Sequence, residues 1–178
     1  QKYTQLTPRS VMTLDASVLD DLPILPTNRF DNVQEIRLLG GHKPIPRLHE
    51  FISVFRGLRK LDLSHSTLET LPISADDVPQ LEILDCAGAT LNTLDVRGFS
   101  QLQRLDLKGA TLAQWPIGIE QLSQLKWLDV RGTGFTTLPA GMLTADAATC
   151  SRSAAAAMVP PPARLRLITC APSAVVGL

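Results

Sequence analysis

The chain has 178 residues and sets 17 Lys and Arg against 17 Asp and Glu, so its formal net charge is zero. That length suits one domain with a buried core, and the charge balance argues against nucleic acid or an anionic membrane as partner, since both require a basic excess. Aromatics make up only 4% of a chain that is 44% apolar, and leucine fills the gap at about one residue in six. No apolar run reaches the roughly 18 residues of a spanning helix, and no secretory signal pattern opens the chain at Gln1.

In chain order, apolar residues recur at fixed offsets. Met12, Leu14, Leu19, Leu22 and Pro23 form a first unit, and Val33, Ile36 and Leu38 open a second. Leu58, Leu61, Leu63, Leu68, Leu71 and Pro72 make the third; Leu81, Leu84, Cys86, Leu91 and Leu94 make the fourth. Leu102, Leu105, Leu107, Leu112, Trp115 and Pro116 follow, then Leu125, Leu128, Val130, Phe135, Leu138 and Pro139. The period is about 21–25 residues, the range of stacked repeat architectures.

The offsets match LxxLxLxxxxLxxLPxx, the pattern of leucine-rich repeats. The expected fold is an α/β solenoid, a leucine-rich-repeat horseshoe of about six repeats with a short-stranded parallel sheet on its concave face. No unit can bury its apolar side alone; stacking gives a continuous leucine core behind the sheet. Leu61 and Leu63 alternate inward from the third strand, Leu68 and Leu71 turn the corner, and Pro72 stops strand or helix there. Phe51, Ile52, Val78, Ile119 and Leu122 supply apolar contacts from the return segments. The solenoid is assigned to residues 1–142, with 1–32 as N-terminal cap and first irregular repeat.

Two departures stand out. The turn position usually held by Asn or Cys carries Ser17, Ser66, Ala89, Ala110 and Thr133. In the second unit Lys43 and Pro44 replace a core leucine, and a local distortion is expected. Cys86 occupies a core strand position and reads as a small buried hydrophobe. The other cysteines, Cys150 and Cys170, and the histidines, His42, His49 and His65, have no metal-ligand or disulfide spacing. No catalytic residue, metal or cofactor is assigned.

After Met142 the pattern stops. Residues 143–178 are rich in Ala, Pro and Ser, a composition that buries little surface. Arg164–Thr169 reads as an edge strand able to close the end of the solenoid; an out-of-frame or truncated end of a longer gene is the other explanation.

Strand residues flanking the buried pair point to the concave face: Lys60 and Asp62, Ile83 and Asp85, Arg104, Asp106 and Lys108, and Trp127, Asp129 and Arg131. Asp62, Asp85, Asp106 and Asp129 form a column in which adjacent carboxylates repel by about 1 kcal/mol, with Lys60, Arg104, Lys108 and Arg131 beside it to offset this. The column is either a solvated strand position or a charge-patterned docking stripe for a basic partner segment. Trp127 is the leading interface residue, with packing under a C-terminal cap as the competing account. Ile83 is a second apolar candidate; His65 reads as a surface histidine and Trp115 as packing.

The segments Leu58-Arg59-Lys60-Leu61-Asp62-Leu63-Ser64, Leu128-Asp129-Val130-Arg131-Gly132-Thr133 and Trp115-Pro116-Ile117-Gly118-Ile119-Glu120-Gln121-Leu122 resemble repeats of plant-pathogen type III secreted effectors, the Xanthomonas outer protein class that joins repeats to an XL-box ubiquitin-ligase domain. The resemblance implies a protein-interaction module that is secreted into a host cell and binds host protein; a monomer with no nucleic-acid partner and no membrane span is expected beside it. The ligase domain expected of that class has no room here, so no enzyme activity is expected. The alternatives are the substrate-recruiting half of a split ubiquitin ligase and a structural or regulatory repeat protein of the bacterium itself.

Overall fold

The computed structural model describes residues 11–17, 22–26, 30–41, 45–135 and 139, and the backbone of 156–158 and 166–168. Each x-apolar-x triplet ahead of a repeat's turn forms a short strand, because alternation puts one side chain into the core and its neighbours outside. The strands are β1 (Val11–Asp15), β2 (Glu35–Leu39), β3 (Lys60–Asp62), β5 (Ile83–Asp85), β7 (Arg104–Asp106) and β8 (Trp127–Asp129). They pair side by side in parallel, in the order β1-β2-β3-β5-β7-β8. Two-residue strands β4 (Thr67–Leu68) and β6 (Thr90–Leu91) form a second parallel ladder at the corner.

Register stacks equivalent residues of successive repeats. Met12, Ile36, Leu61, Leu84, Leu105 and Leu128 form one column, each at most 2% exposed. Two residues further on, Leu14, Leu38, Leu63, Cys86, Leu107 and Val130 form a second buried set. Burying one such side chain is worth about 1.5–3 kcal/mol, and a solenoid gains it only when its neighbour is in place. Phe30, Phe51 and Phe55 close the core of the second repeat, with Phe55 5.4 Å from each of the other rings.

The parallel sheet matches the expectation from the sequence, and the helical share is small. Among the described residues only α1 (Leu48–Ile52) is α-helical, with a single 3-10 turn at Ile119–Gln121. Pro72, Pro79, Pro116, Gly98 and Gly118 punctuate the return segments and leave no run long enough for a helix. In the irregular second repeat Ile45 is buried and α1 follows directly; Lys43 and Pro44 lie outside the described residues. In the N-terminal unit β1 pairs with β2 over five residues, and residues 1–10, 18–21 and 27–29 lie outside the described residues.

The strand expected within 164–169 is present as β10 (Arg166–Ile168) but not at the sheet's edge: it lies parallel beside β8 on one side and pairs antiparallel with β9 (Ala156–Met158) on the other. The remainder of 143–178 lies outside the described residues. Among those described, no helix is long and apolar enough to cross a membrane.

Candidate protein-binding face

The turn leaving each strand explains the aspartate column. Oδ1 of Asp62, Asp85, Asp106 and Asp129 accepts the backbone N–H two residues on, from Ser64, Ala87, Lys108 and Arg131, each at 3.0 Å. This is an Asx turn, a short carboxylate closing the backbone that follows it. Further along, the chain turns through a left-handed residue: Gly40, His65, Gly88, Gly109 and Gly132, with φ of 68°, 58°, 65°, 66° and 74°. His65 is the one side chain in that series, and it is exposed. Its ring lies where a Cβ on Gly88 would stand, 2.5 Å from Nδ1.

The usual asparagine ladder is replaced accordingly. Ala89 and Ala110 are buried at the ninth position, and Thr133 donates from Oγ1 to the Val130 carbonyl at 2.7 Å. Ser66 is 1% exposed, and its hydroxyl has no hydrogen-bond partner among the described residues.

The sheet face turned away from the core presents two rows. One runs Val11, Glu35, Lys60, Ile83, Arg104, Trp127; the other runs Thr13, Arg37, Asp62, Asp85, Asp106, Asp129. The structure thus brings the ten residues singled out in the sequence onto one face or its rim. It distributes their charges differently from the simple expectation, however. Lys60 turns to Glu35 at 3.0 Å, and Arg37 meets the same carboxylate at 2.6 Å. Burial alone would raise the Glu35 carboxyl, but hydrogen bonds from Arg37 and Lys60 outweigh it and hold the group below its ordinary value. Arg131 grips Asp129, 1% exposed, through Nε and a terminal nitrogen at 2.6–3.0 Å. Arg131 is therefore committed to the fold.

No cation stands within 4 Å of Asp62 or Asp85 among the described residues. Burial, and then the adjacent Asp106 and Asp62 carboxylates, raise the Asp85 carboxyl against the opposing Ala87 N–H and Arg104. The flanking basic residues therefore leave the middle of the column unneutralised. Burial likewise pushes the Cys86 thiol upward, with the aspartate column adding to it.

The Arg104 guanidinium lies over the Trp127 ring, 3.8 Å from its centroid. Trp127 is half-buried, between β7 on one side and β10 on the other, with Arg166 opposite it in register. Sequence reasoning named both residues and missed the stack; the signal was available, since they stand one 23-residue period apart at the same strand position. Ile83 is half-buried beside Arg104. Trp115 sits below the corner, stacked on Phe135 with centroids 4.4 Å apart.

Among the described residues, no three His, Cys, Asp or Glu side chains converge as metal ligands do. A hollow of about 400 Å³ lined by Asp31, Gln34, Arg56, Gly57, Arg59 and Gln80 opens at the strand-entry edge, away from the two rows.

No protein-family model and no curated protein matches the chain. Thirteen chains of solved structures do. One, a leucine-rich-repeat protein of Leptospira interrogans, is 22% identical over 74% of this chain with a TM-score of 0.57. The fold is a leucine-rich-repeat solenoid. The chain spans about a third of the length of that protein (33%), and at this identity the likeness carries the fold alone.

Proposed function

We propose that this leucine-rich-repeat solenoid is a protein-interaction module that docks its partner on the outward, concave face of the sheet. One observation carries the reading: Ile83, Arg104 and Trp127 stand side by side in register on that face. A half-buried aliphatic, a guanidinium and an indole in one row have the make-up of an interface centre. The carboxylates beside them are fixed by their own turns, so the surface is preorganised and binding costs little ordering. The reading assigns the chain no catalytic step.

The test is a photo-crosslinking amino acid placed at Ile83 and, separately, at exposed Glu120 on the return side. Crosslinks of a bound protein at Ile83 but not at Glu120 support the docking face; the reverse pattern removes it.

The finer reading is that the module belongs to a type III secreted effector and meets a host protein in the host cytoplasm. Its support is the resemblance of the repeat segments. A translocation reporter fused to the full gene product tests it: reporter signal inside plant cells that depends on a working type III system supports secretion, and none removes it.

A further inference from the structure

Resting on that docking face, we propose that Arg104, laid flat on Trp127, is the receptor for one carboxylate, and that the partner presents an Asp or Glu beside an apolar residue. The argument begins with a contrast between arginines. Arg37, Arg97 and Arg131 each close onto a carboxylate two residues earlier, at 2.6 Å. Arg104 has Asp106 two residues later, yet the nearest approach is 3.7 Å, and it donates no hydrogen bond among the described residues. Its side chain is 49% exposed. It reaches across to the next strand and stacks on the indole instead.

Stacking uses the face of a guanidinium and leaves its edge of N–H donors open. The result is a guanidinium held over the indole, half exposed and hydrogen-bonded to no described residue, with N–H donors available to an incoming group. A carboxylate matches the guanidinium fork with two parallel hydrogen bonds. Ile83 on one side and Trp127 on the other offer apolar contact to whatever flanks the carboxylate. Lys108, exposed and without an ion pair among the described residues, adds attraction for an anion from the same repeat.

The supply of donors decides between kinds of anion. Asp129 is neutralised by Arg131, but Asp85 and Asp106 are not similarly held. Attraction to the fork and repulsion from these aspartates both scale with the incoming charge, so charge alone does not choose. Hydrogen bonding does: a carboxylate's two oxygens are met by one fork, whereas a phosphate's three strong acceptor oxygens need more donors than one fork supplies. An acidic side chain of a protein segment is therefore the occupant.

The experiment is selection of a displayed random dodecapeptide library on the immobilised wild-type chain, followed by affinity measurements on the enriched peptides. The expected result is enrichment of sequences with an Asp or Glu next to an apolar residue. Replacing that acid by Asn or Gln, or making Arg104→Gln in the chain, is expected to weaken binding by about 10-fold or more, with the variant chain still folded by circular dichroism at the assay temperature. A phosphoserine at the same place is expected to bind more weakly than the acid. Enrichment without acidic residues, no enrichment at all, or equal affinity for Arg104→Gln overturns the carboxylate receptor. If such non-acidic peptides nonetheless lose affinity on Trp127→Ala, the docking face stands while the carboxylate falls. If they bind Trp127→Ala unchanged, both fall.

Discussion

Replacing Asp85 by asparagine is expected to stabilise the fold. Asp85 stands between Asp62 and Asp106 in register, one strand spacing of roughly 5 Å from each. At that distance each like-charge contact costs about 0.8 kcal/mol in water and about 3 kcal/mol at an effective dielectric of 20. Asp85 is only half-buried, so solvent keeps the sum for both neighbours near the low end, about 1–2 kcal/mol. Asparagine retains the Oδ1 that accepts the Ala87 N–H and removes the charge. For a chain of this size the gain corresponds to roughly 2–8 °C in melting midpoint.

The sign with pH follows from the raised carboxyl of Asp85. An acid held above its unfolded value destabilises the fold only once it ionises, so its cost is absent below the carboxylate range and grows as pH rises through it. The advantage of Asp85→Asn is thus full at pH 7, fades toward pH 3, and shrinks in 1 M NaCl, where the screening length is about 3 Å. Asp85→Ala, which also loses the turn acceptor, is expected to sit about 1 kcal/mol below Asp85→Asn. Thermal unfolding by circular dichroism across pH and salt reads all of this. A destabilised Asp85→Asn at pH 7, or a gain indifferent to both pH and salt, would refute the electrostatic account of the column.

Other substitutions test other parts of the turn. Gly88→Ala is expected to cost about 1–2 kcal/mol, from its left-handed φ and the His65 ring 2.5 Å from the new Cβ. In His65→Gly the clash disappears, so the double variant loses less than the sum of the single changes, a coupling visible in denaturant melts. Ser66→Ala removes a buried hydroxyl with no partner among the described residues and is expected to stabilise by about 1 kcal/mol in the same melts. Arg131→Ala leaves the buried Asp129 carboxylate without its cation and is expected to destabilise by about 3 kcal/mol, a marked fall in melting midpoint.

Much of the fold was legible in the sequence because its core has one residue type at one period. Leu61, Leu84, Leu105 and Leu128 could be aligned by counting, and the parallel register followed. The scarcity of helix among the described residues is written in Pro72, Pro79, Pro116 and Gly118, which a leucine-period pattern does not weigh. The face was legible as a set of positions and not as a set of partnerships. Period-two alternation places Arg104 and Arg131 alike beside an aspartate. Only side-chain geometry shows that Arg131 locks onto Asp129 while Arg104 swings onto Trp127. The aspartates look like free charge in sequence, whereas half of each carboxylate closes its own turn.

The docking face itself is tested most directly by the affinity of one partner segment, taken from display selection, for wild type, Trp127→Ala and Glu120→Ala. The predicted result is at least about a 10-fold loss for Trp127→Ala, with Glu120→Ala equal to wild type and all three folded by circular dichroism at the assay temperature. Equal affinity for Trp127→Ala, or a loss confined to Glu120→Ala, would contradict binding through the sheet.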